Sequence, residues 1–289
     1  MTAALDAFLA RAQALLDRLE PLLPPASPAL DWRQTLAARW RRGGFGGWLE
    51  PVPAPDCPPW SALRRIEAQK QALERNTRQF VAGLPANHAL LAGSRGCGKS
   101  SLVRALLARH ARQGLRMVEV DKVDLIDLPH LIARLPRAPW RFILFADDLS
   151  FDAHEPAYKA LKAALDGSLA GLPDNVLIYA TSNRRHLMPE FFAENAETRH
   201  LGGEVRPGEG IEEKLSLADR FGLVLTFYPF DQDDYLDIVA AWVRALGGRV
   251  SADMRAAALQ WAIARGGRSG RVARQFAADW VGQQRLGVR

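Results

Sequence analysis

Residues Gly93 to Ser100 combine three glycines, a lysine and two serines in the order Gly-Ser-Arg-Gly-Cys-Gly-Lys-Ser. Glycine has no Cβ, so the backbone can turn sharply and direct successive N–H groups toward an anion. Lys99 adds a positive charge, and Ser100 adds a hydroxyl that can bind a magnesium ion. The pattern G-x-x-x-x-G-K-[ST] is matched in full and predicts a phosphate-binding loop. Its predicted ligand-binding residues are Gly93, Ser94, Arg95, Gly96, Cys97, Gly98, Lys99, Ser100 and Ser101.

Two adjacent carboxylates, Asp147 and Asp148, follow an apolar run of strand length. A buried strand that ends in two acids carries both carboxylates to the sheet edge beside the phosphate loop. Such a pair is costly without a cation. We therefore expect Asp147, with Ser100, to bind Mg²⁺ and Asp148 to orient an attacking water. The alternative is that one of the two aspartates only caps the following helix.

A third strand-like run, residues 175–182, is followed by Asn183. Its amide is placed to hydrogen-bond a terminal phosphate or the attacking water. Asparagine at a strand end is also common in turns, so the prediction depends on the order of all three motifs along the chain.

Apolar runs alternate with helical segments and predict a parallel sheet that is covered on both faces. The segments between the runs supply the crossovers that parallel strands require. The predicted fold class is α/β, a P-loop NTPase three-layer sandwich with a five-stranded parallel sheet and a C-terminal all-helical lid. The five predicted strands are residues 88–93, 116–120, 141–146, 175–182 and 223–228, and the main predicted helices are 61–83, 99–113 and 155–169.

Three regions are expected along the chain. Residues 1–60 are interpreted as an N-terminal helical extension and a Pro/Gly-rich connector, because prolines prevent the first helix from continuing. Residues 61–229 form the nucleotide-binding α/β domain. Residues 230–289 contain three helical stretches with acidic or serine starts and form the lid.

The segment at residues 184–216 is longer and more polar than a minimal connection. We interpret it as a lid or as a loop that contacts a partner. The Arg-Arg-His sequence at 184–186 could contact phosphate or form a solvated turn.

Composition indicates an ordinary globular chain: 289 residues, 48% apolar and 24% charged. No apolar run reaches the ~20 residues of a membrane-spanning helix, and the first residues lack the pattern of a signal peptide. We therefore expect no membrane partner and a cytoplasmic location. Two cysteines exclude a disulfide scaffold. The net charge of +6 leaves DNA open as a partner, although a bound nucleotide accounts for part of it.

The order of motifs resembles that of the AAA+ ATPases over about residues 61–285. The phosphate loop, the Asp-Asp strand end and the Asn strand end are followed by LADRFG at residues 217–222 and by the lid. More narrowly, the stretches DDLSF, YATSNRRHLMPE and RSGRVARQF resemble a bacterial AAA+ family known only as a domain of unknown function.

The resemblance implies that Lys99 binds ATP and that Asn183 senses its γ-phosphate. It implies that Arg220 is an arginine finger that enters the site of a neighbouring subunit, in a homo-oligomer or beside another AAA+ protein. The alternative for Arg220 is a surface ion pair. The lid arginine that reports the nucleotide state is Arg271 or else Arg268; the alternative is a solvated helix face.

The expected activity is Mg²⁺-dependent ATP hydrolysis to ADP, coupled to the remodelling or loading of an unknown protein partner. The second motif usually ends in glutamate, and Asp148 is one methylene shorter, which predicts slow turnover. The first alternative is a nucleotide-gated switch that binds protein or DNA with negligible turnover. The second alternative is a small-molecule kinase.

Overall fold

The computed structural model describes residues 2–19, 30–43, 46–151, 155–166, 172–183, 199–201, 204–206 and 217–287. The expected phosphate contact at 184–186 and most of the polar segment 184–216 lie outside the described residues. So do the last three residues of the helix predicted at 155–169.

The described residues form eight α-helices and nine strands. The helices are α1 Thr2–Leu19, α2 Glu67–Val81, α3 Lys99–His110, α4 Leu128–Ala133, α5 Pro156–Asp166, α6 Gln232–Ala245, α7 Ala252–Ala264 and α8 Gly270–Arg285. The strands are β1 Ala37–Gly43, β2 Gly46–Val52, β3 Ala89–Gly93, β4 Leu115–Glu119, β5 Arg141–Ala146, β6 Val176–Ser182, β7 Arg199–Leu201, β8 Glu204–Arg206 and β9 Leu223–Phe227. Among these residues, every helix is too short or too polar to span a bilayer.

Seven strands form one sheet in the order β2-β1-β4-β5-β6-β3-β9. Every neighbouring pair is parallel except β1 with β2. All five predicted strands are present, as β3, β4, β5, β6 and β9. The predicted number of five was too low, because β1 and β2 extend the sheet beyond β4.

The two additional strands form an antiparallel hairpin within residues 37–52, in the segment that we interpreted as extension and connector. Trp40 is fully buried in the core beneath the hairpin. Gly47 lies so close to it that a Cβ there would come within 2.0 Å of the Trp40 ring. Arg39 also donates to Glu119 of β4 at 2.6 Å. The glycines that suggested a flexible connector therefore allow an indole to pack against the backbone.

Alternate residues of each central strand face opposite sides of the sheet and enter two separate cores. Leu90 packs beneath α4 and α5, whereas Leu91 packs beneath α2 and α3. Phe142 and Ile143 divide between the two faces in the same way. This division explains the nearly continuous apolar runs, because both faces of a parallel sheet are covered by helices.

The last three helices form a third core around Tyr235 and Phe276. Each begins at a residue whose side chain accepts a hydrogen bond from the backbone of the first turn. These caps are Asp231, Ser251 and Ser269. The acidic and serine starts seen in the sequence therefore mark the true beginnings of the lid helices.

Replacement of Trp40 by alanine tests whether the hairpin is an integral part of the sheet. Because this side chain is fully buried, we expect Trp40→Ala to lower the free energy of unfolding by about 3–5 kcal/mol. Chemical denaturation measures the change. Trp48→Ala on the neighbouring strand is the matched control, since Trp48 is only half-buried and its loss should be clearly smaller. Equal losses for the two variants would contradict the packing described.

Candidate functional site

The loop between β3 and α3 needs glycine at the end of the strand. Gly93 has φ +129°, and a Cβ there would lie 2.0 Å from the carbonyl oxygen of Phe227. The N–H of Ser94 donates to the same oxygen at 3.1 Å. The thiol of Cys97 donates to Tyr228 O at 3.1 Å, and burial raises its pKa. The loop is therefore fastened to the end of β9 on one side.

Lys99 is buried, and its ammonium group is held by oxygen atoms. Nζ donates to the carbonyl oxygens of Gly93 at 2.9 Å and Ser94 at 2.7 Å, and to Asn183 Oδ1 at 2.9 Å. Burial lowers the pKa of Lys99, while the nearby carboxylate of Asp148 acts in the opposite direction. The ammonium group thus stands at the base of the loop, where it can exchange these oxygens for those of a phosphate.

A set of oxygen donors surrounds the carboxylate of Asp147. Ser100 Oγ donates to Asp147 Oδ1 at 2.5 Å, and the hydroxyl of Thr181 donates to the same carboxylate oxygen. No group of three or more His, Cys, Asp or Glu in the described ranges could hold a metal ion by itself. Hydroxyl and carboxylate oxygens nevertheless fit Mg²⁺, which keeps several waters and takes further ligands from phosphates.

Asp148 adopts a backbone conformation that is unusual for a residue with a side chain. Its φ is +52°, in the left-handed region. Its N–H donates to Thr181 Oγ1 at 2.9 Å, and its carboxylate accepts a hydrogen bond from Asn183 Nδ2. Strained residues of this kind occur preferentially at functional sites. Asn183 therefore links Lys99 to Asp148, and the structure brings all three together.

A cavity of about 700 Å³ opens at this edge of the sheet, between the phosphate loop and the lid. Two carboxylates and six basic side chains line it, an excess of four positive charges, which suits a polyanion. The basic residues are Arg64, Arg95, Lys99, Arg104, Arg271 and Arg274. Its apolar wall consists of Ala62, Leu63, Ile66, Phe230, Ile238 and Trp242.

The lid touches the phosphate loop through its last helix. The N–H of Gly270 donates to Gly96 O at 2.8 Å, and a Cβ on Gly96 would lie 2.8 Å from Ser269. Arg271, one residue further, lines the cavity. Arg268 is exposed and is not among the lining side chains. Of the two predicted lid arginines, the structure places Arg271 at the cavity.

Arg220 lies in a turn before β9, between the buried Leu217 and Phe221. Its guanidinium forms an ion pair with Asp166 at the end of α5. It does not line the cavity of its own subunit. Its role as an arginine finger stays a prediction, as do the roles of the other site residues.

Sequence reasoning missed several groups that shape the site. Thr181 is one; its only signal is the polar Thr-Ser pair that ends an otherwise apolar strand. Lys70 is another: its Nζ donates to the carbonyl oxygens of Trp60 at 3.1 Å and Leu63 at 2.7 Å. These bonds hold the segment that forms the apolar wall. No sequence motif identifies this contact, because both acceptors are backbone carbonyl groups.

Two glycine-to-alanine substitutions in α8 are expected to change the free energy of unfolding in opposite directions, because only one of the glycines contacts the phosphate loop. A Cβ on Gly270 would lie 2.8 Å from Gly96 O, so we expect Gly270→Ala to lower the free energy of unfolding by about 1–3 kcal/mol. Gly282 has open space around it, so Gly282→Ala should raise stability by about 0.5–1 kcal/mol. Thermal and chemical unfolding measure both. A stabilised Gly270→Ala variant would show that the contact is not formed.

Solved structures of several proteins are similar to this chain. The structure of Thermotoga maritima RuvB, a Holliday junction branch migration motor, is 16% identical, with a TM-score of 0.46 over 75% of this chain and 64% of RuvB. The Aeropyrum pernix ORC1 protein, solved in complex with DNA, is 19% identical, with a TM-score of 0.52 over 81% of this chain and 63% of ORC1. The FIGL-1 AAA domain, solved with ADP, is 16% identical, with a TM-score of 0.51 over 78% of this chain and 73% of that domain. This chain thus spans less than two thirds of RuvB and ORC1.

A search of curated proteins gave no match. The sequence model of a family described as "Protein of unknown function (DUF815)" matches residues 33–284, which is most of the chain. The fold is that of the AAA+ P-loop domains, and the chain belongs to the DUF815 family.

Proposed function

We propose that this protein binds ATP with Mg²⁺ in the cavity between the phosphate loop and the lid, and hydrolyses it. One observation carries the proposal: Lys99, Ser100, Asp147, Asp148 and Asn183 meet at one end of that cavity. They come from the carboxyl ends of β5 and β6 and from the start of α3, the helix that follows β3. In open parallel sheets, ligands bind at this edge.

The two ends of the cavity suit the two ends of a nucleotide. The apolar wall, formed by the turn before α2 and by the lid residues Phe230 and Trp242, would hold the base. The phosphate loop and the excess positive charge would hold the triphosphate. Because the lid forms part of this wall, base binding would fix the lid relative to the sheet.

Each polar residue then has a distinct task. Lys99 would exchange its carbonyl partners for β- and γ-phosphate oxygens, and Ser100 and Asp147 would hold Mg²⁺. Bound Mg²⁺ neutralises charge that develops on the phosphates. Asp148 and Asn183, which already contact each other, would orient the attacking water. Arg220 of a neighbouring subunit would stabilise the charge of the transition state.

The nucleotide state would reach a partner through the lid. Gly270 and Arg271 lie at the start of α8, where the helix meets both Gly96 and the cavity. A change at the γ-phosphate would therefore alter the position of α8. The partner that this movement remodels or loads would be a protein or DNA.

Removal of the Lys99 ammonium group tests nucleotide binding. We expect Lys99→Ala to abolish binding of a fluorescent ATP analogue, because no other lysine lines the cavity in the part of the chain that the structure describes. Lys159→Ala, which removes an exposed lysine from α5, is the matched control and should bind normally. Unchanged binding by Lys99→Ala would refute the proposed site.

Removal of the Arg220 guanidinium tests the role between subunits. We expect Arg220→Ala to bind the analogue normally but to lose turnover by about 10³-fold, as arginine fingers do. Asp166→Asn is the control, because it breaks the same ion pair and keeps the arginine; its turnover should persist. Steady-state phosphate release measures both.

A mixture of two inactive variants sharpens this test. Arg220→Ala subunits keep an intact site, and Lys99→Ala subunits keep the arginine. Mixed neighbours should therefore recover turnover that neither variant shows alone. No recovery, or equal losses in Arg220→Ala and Asp166→Asn, would assign Arg220 a structural role.

One observation favours a second candidate, a nucleotide-gated switch with negligible turnover. Asp148 is short, and its carboxylate is occupied by Asn183. In that case the analogue would bind, but steady-state phosphate release would stay at background with and without DNA or a cell lysate. Release above background that Lys99→Ala abolishes would exclude the switch.

A further inference from the structure

Helix α1 exposes a large apolar surface. Leu5, Phe8, Leu9, Leu15 and Leu16 are each more than half exposed, and Phe8 reaches 67%. The other side chains described between Leu5 and Arg18 are exposed as well, except the half-buried Ala12. Contiguous apolar surface of this kind marks an interaction site.

The apolar residues of α1 occupy one wide face. With about 3.6 residues per turn, positions 5, 8, 9, 12, 15 and 16 fall on the same side of the helix. Both 5-8-12-15 and 5-9-12-16 follow the alternating three- and four-residue spacing of helix packing seams. The two rows share Leu5 and Ala12, and together they form one apolar face that is wider than a single two-helix seam.

The charged residues of α1 divide between the two edges of this face. Asp6 and Asp17 lie along one edge, where Gln13 Nε2 donates to Asp17 Oδ1 at 3.0 Å. Arg11 and Arg18 lie along the other edge. The helix is therefore acidic on one flank and basic on the opposite flank, with a balanced total over the four charges.

The arrangement of acidic and basic flanks on α1 indicates which kind of helix covers its apolar face and in which direction that helix runs. Between parallel copies of one helix, opposite flanks meet, so each acidic flank faces a basic flank. Between antiparallel copies, like flanks meet and repel. A membrane surface is disfavoured, because such helices carry a polar face rich in lysine and arginine.

We propose that α1 is an assembly helix, which packs in parallel against α1 of other copies of this chain to form a bundle. The arrangement suits cyclic symmetry, in which every copy presents the same two flanks to its neighbours. It uses no residue of the nucleotide cavity and goes beyond the proposed ATPase. Assembly is therefore measured without nucleotide.

The first experiment compares two double variants of the full chain by sedimentation velocity. Phe8→Gln with Leu15→Gln places polar groups within the apolar face without changing the charge, and should raise the dissociation constant of the assembly by about tenfold or more. Ala7→Gln with Ala14→Gln adds the same groups outside the apolar face and should assemble like the unmodified chain. The proposal is overturned if the unmodified chain is monomeric, or if the two variants assemble equally well.

The second experiment tests direction. Arg11→Glu with Arg18→Glu makes both flanks acidic, and Asp6→Lys with Asp17→Lys makes both basic. For parallel packing, each variant alone should assemble more weakly at low salt, and an equimolar mixture should recover assembly. If both variants assemble as well alone as the unmodified chain does, parallel packing is wrong. Retained binding of an ATP analogue by every variant separates this result from a failure of the nucleotide site.

Discussion

The hydrogen bond between Lys99 Nζ and Asn183 Oδ1 ties together three strand ends. Asn183 follows β6, Lys99 follows β3, and the other end of the Asn183 amide reaches Asp148 after β5. These strands are adjacent in the sheet, so a single amide can bridge a cation and an anion. Polar groups linked in this way support each other in the partly desolvated edge of the sheet. The shape of the phosphate loop depends on this bridge, because the loop carbonyls share the same ammonium group.

Much of the fold was predictable, because it follows from local sterics and periodicity. The five central strands alternate between two apolar cores, so each reads as a continuous apolar run. The hairpin at residues 37–52 was not predictable in the same way. Its glycines and prolines resemble those of a connector, and only the burial of Trp40 and the pairing with β4 make it part of the sheet. Such contacts join residues about 80 positions apart, and no local pattern records them.

The candidate site was also predictable from the sequence only in part. The position of Asp147, Asp148 and Asn183 at one edge follows from parallel strand direction, which the sequence already indicates. The apolar wall and the choice between Arg268 and Arg271 depend on how the lid rests on the loop. The two arginines are only three residues apart in the sequence, so spacing alone does not separate them. The close approach of Gly96 and Gly270 brings Arg271, and not Arg268, to the cavity, while the role of either arginine in sensing the nucleotide stays a prediction.

The order of strands in the sheet differs from their order in the chain. Strand β3, which leads into the phosphate loop, is flanked by β6 and β9, both of which come far later in the sequence. Pairings between such distant segments form slowly, since a long stretch of chain must first be closed into a loop. During synthesis the loop would therefore lack β6 until residue 182 had left the ribosome, and β9 until residue 227 had done so. Shorter nascent chains would expose the unpaired backbone edges of β3 to chaperones and to aggregation.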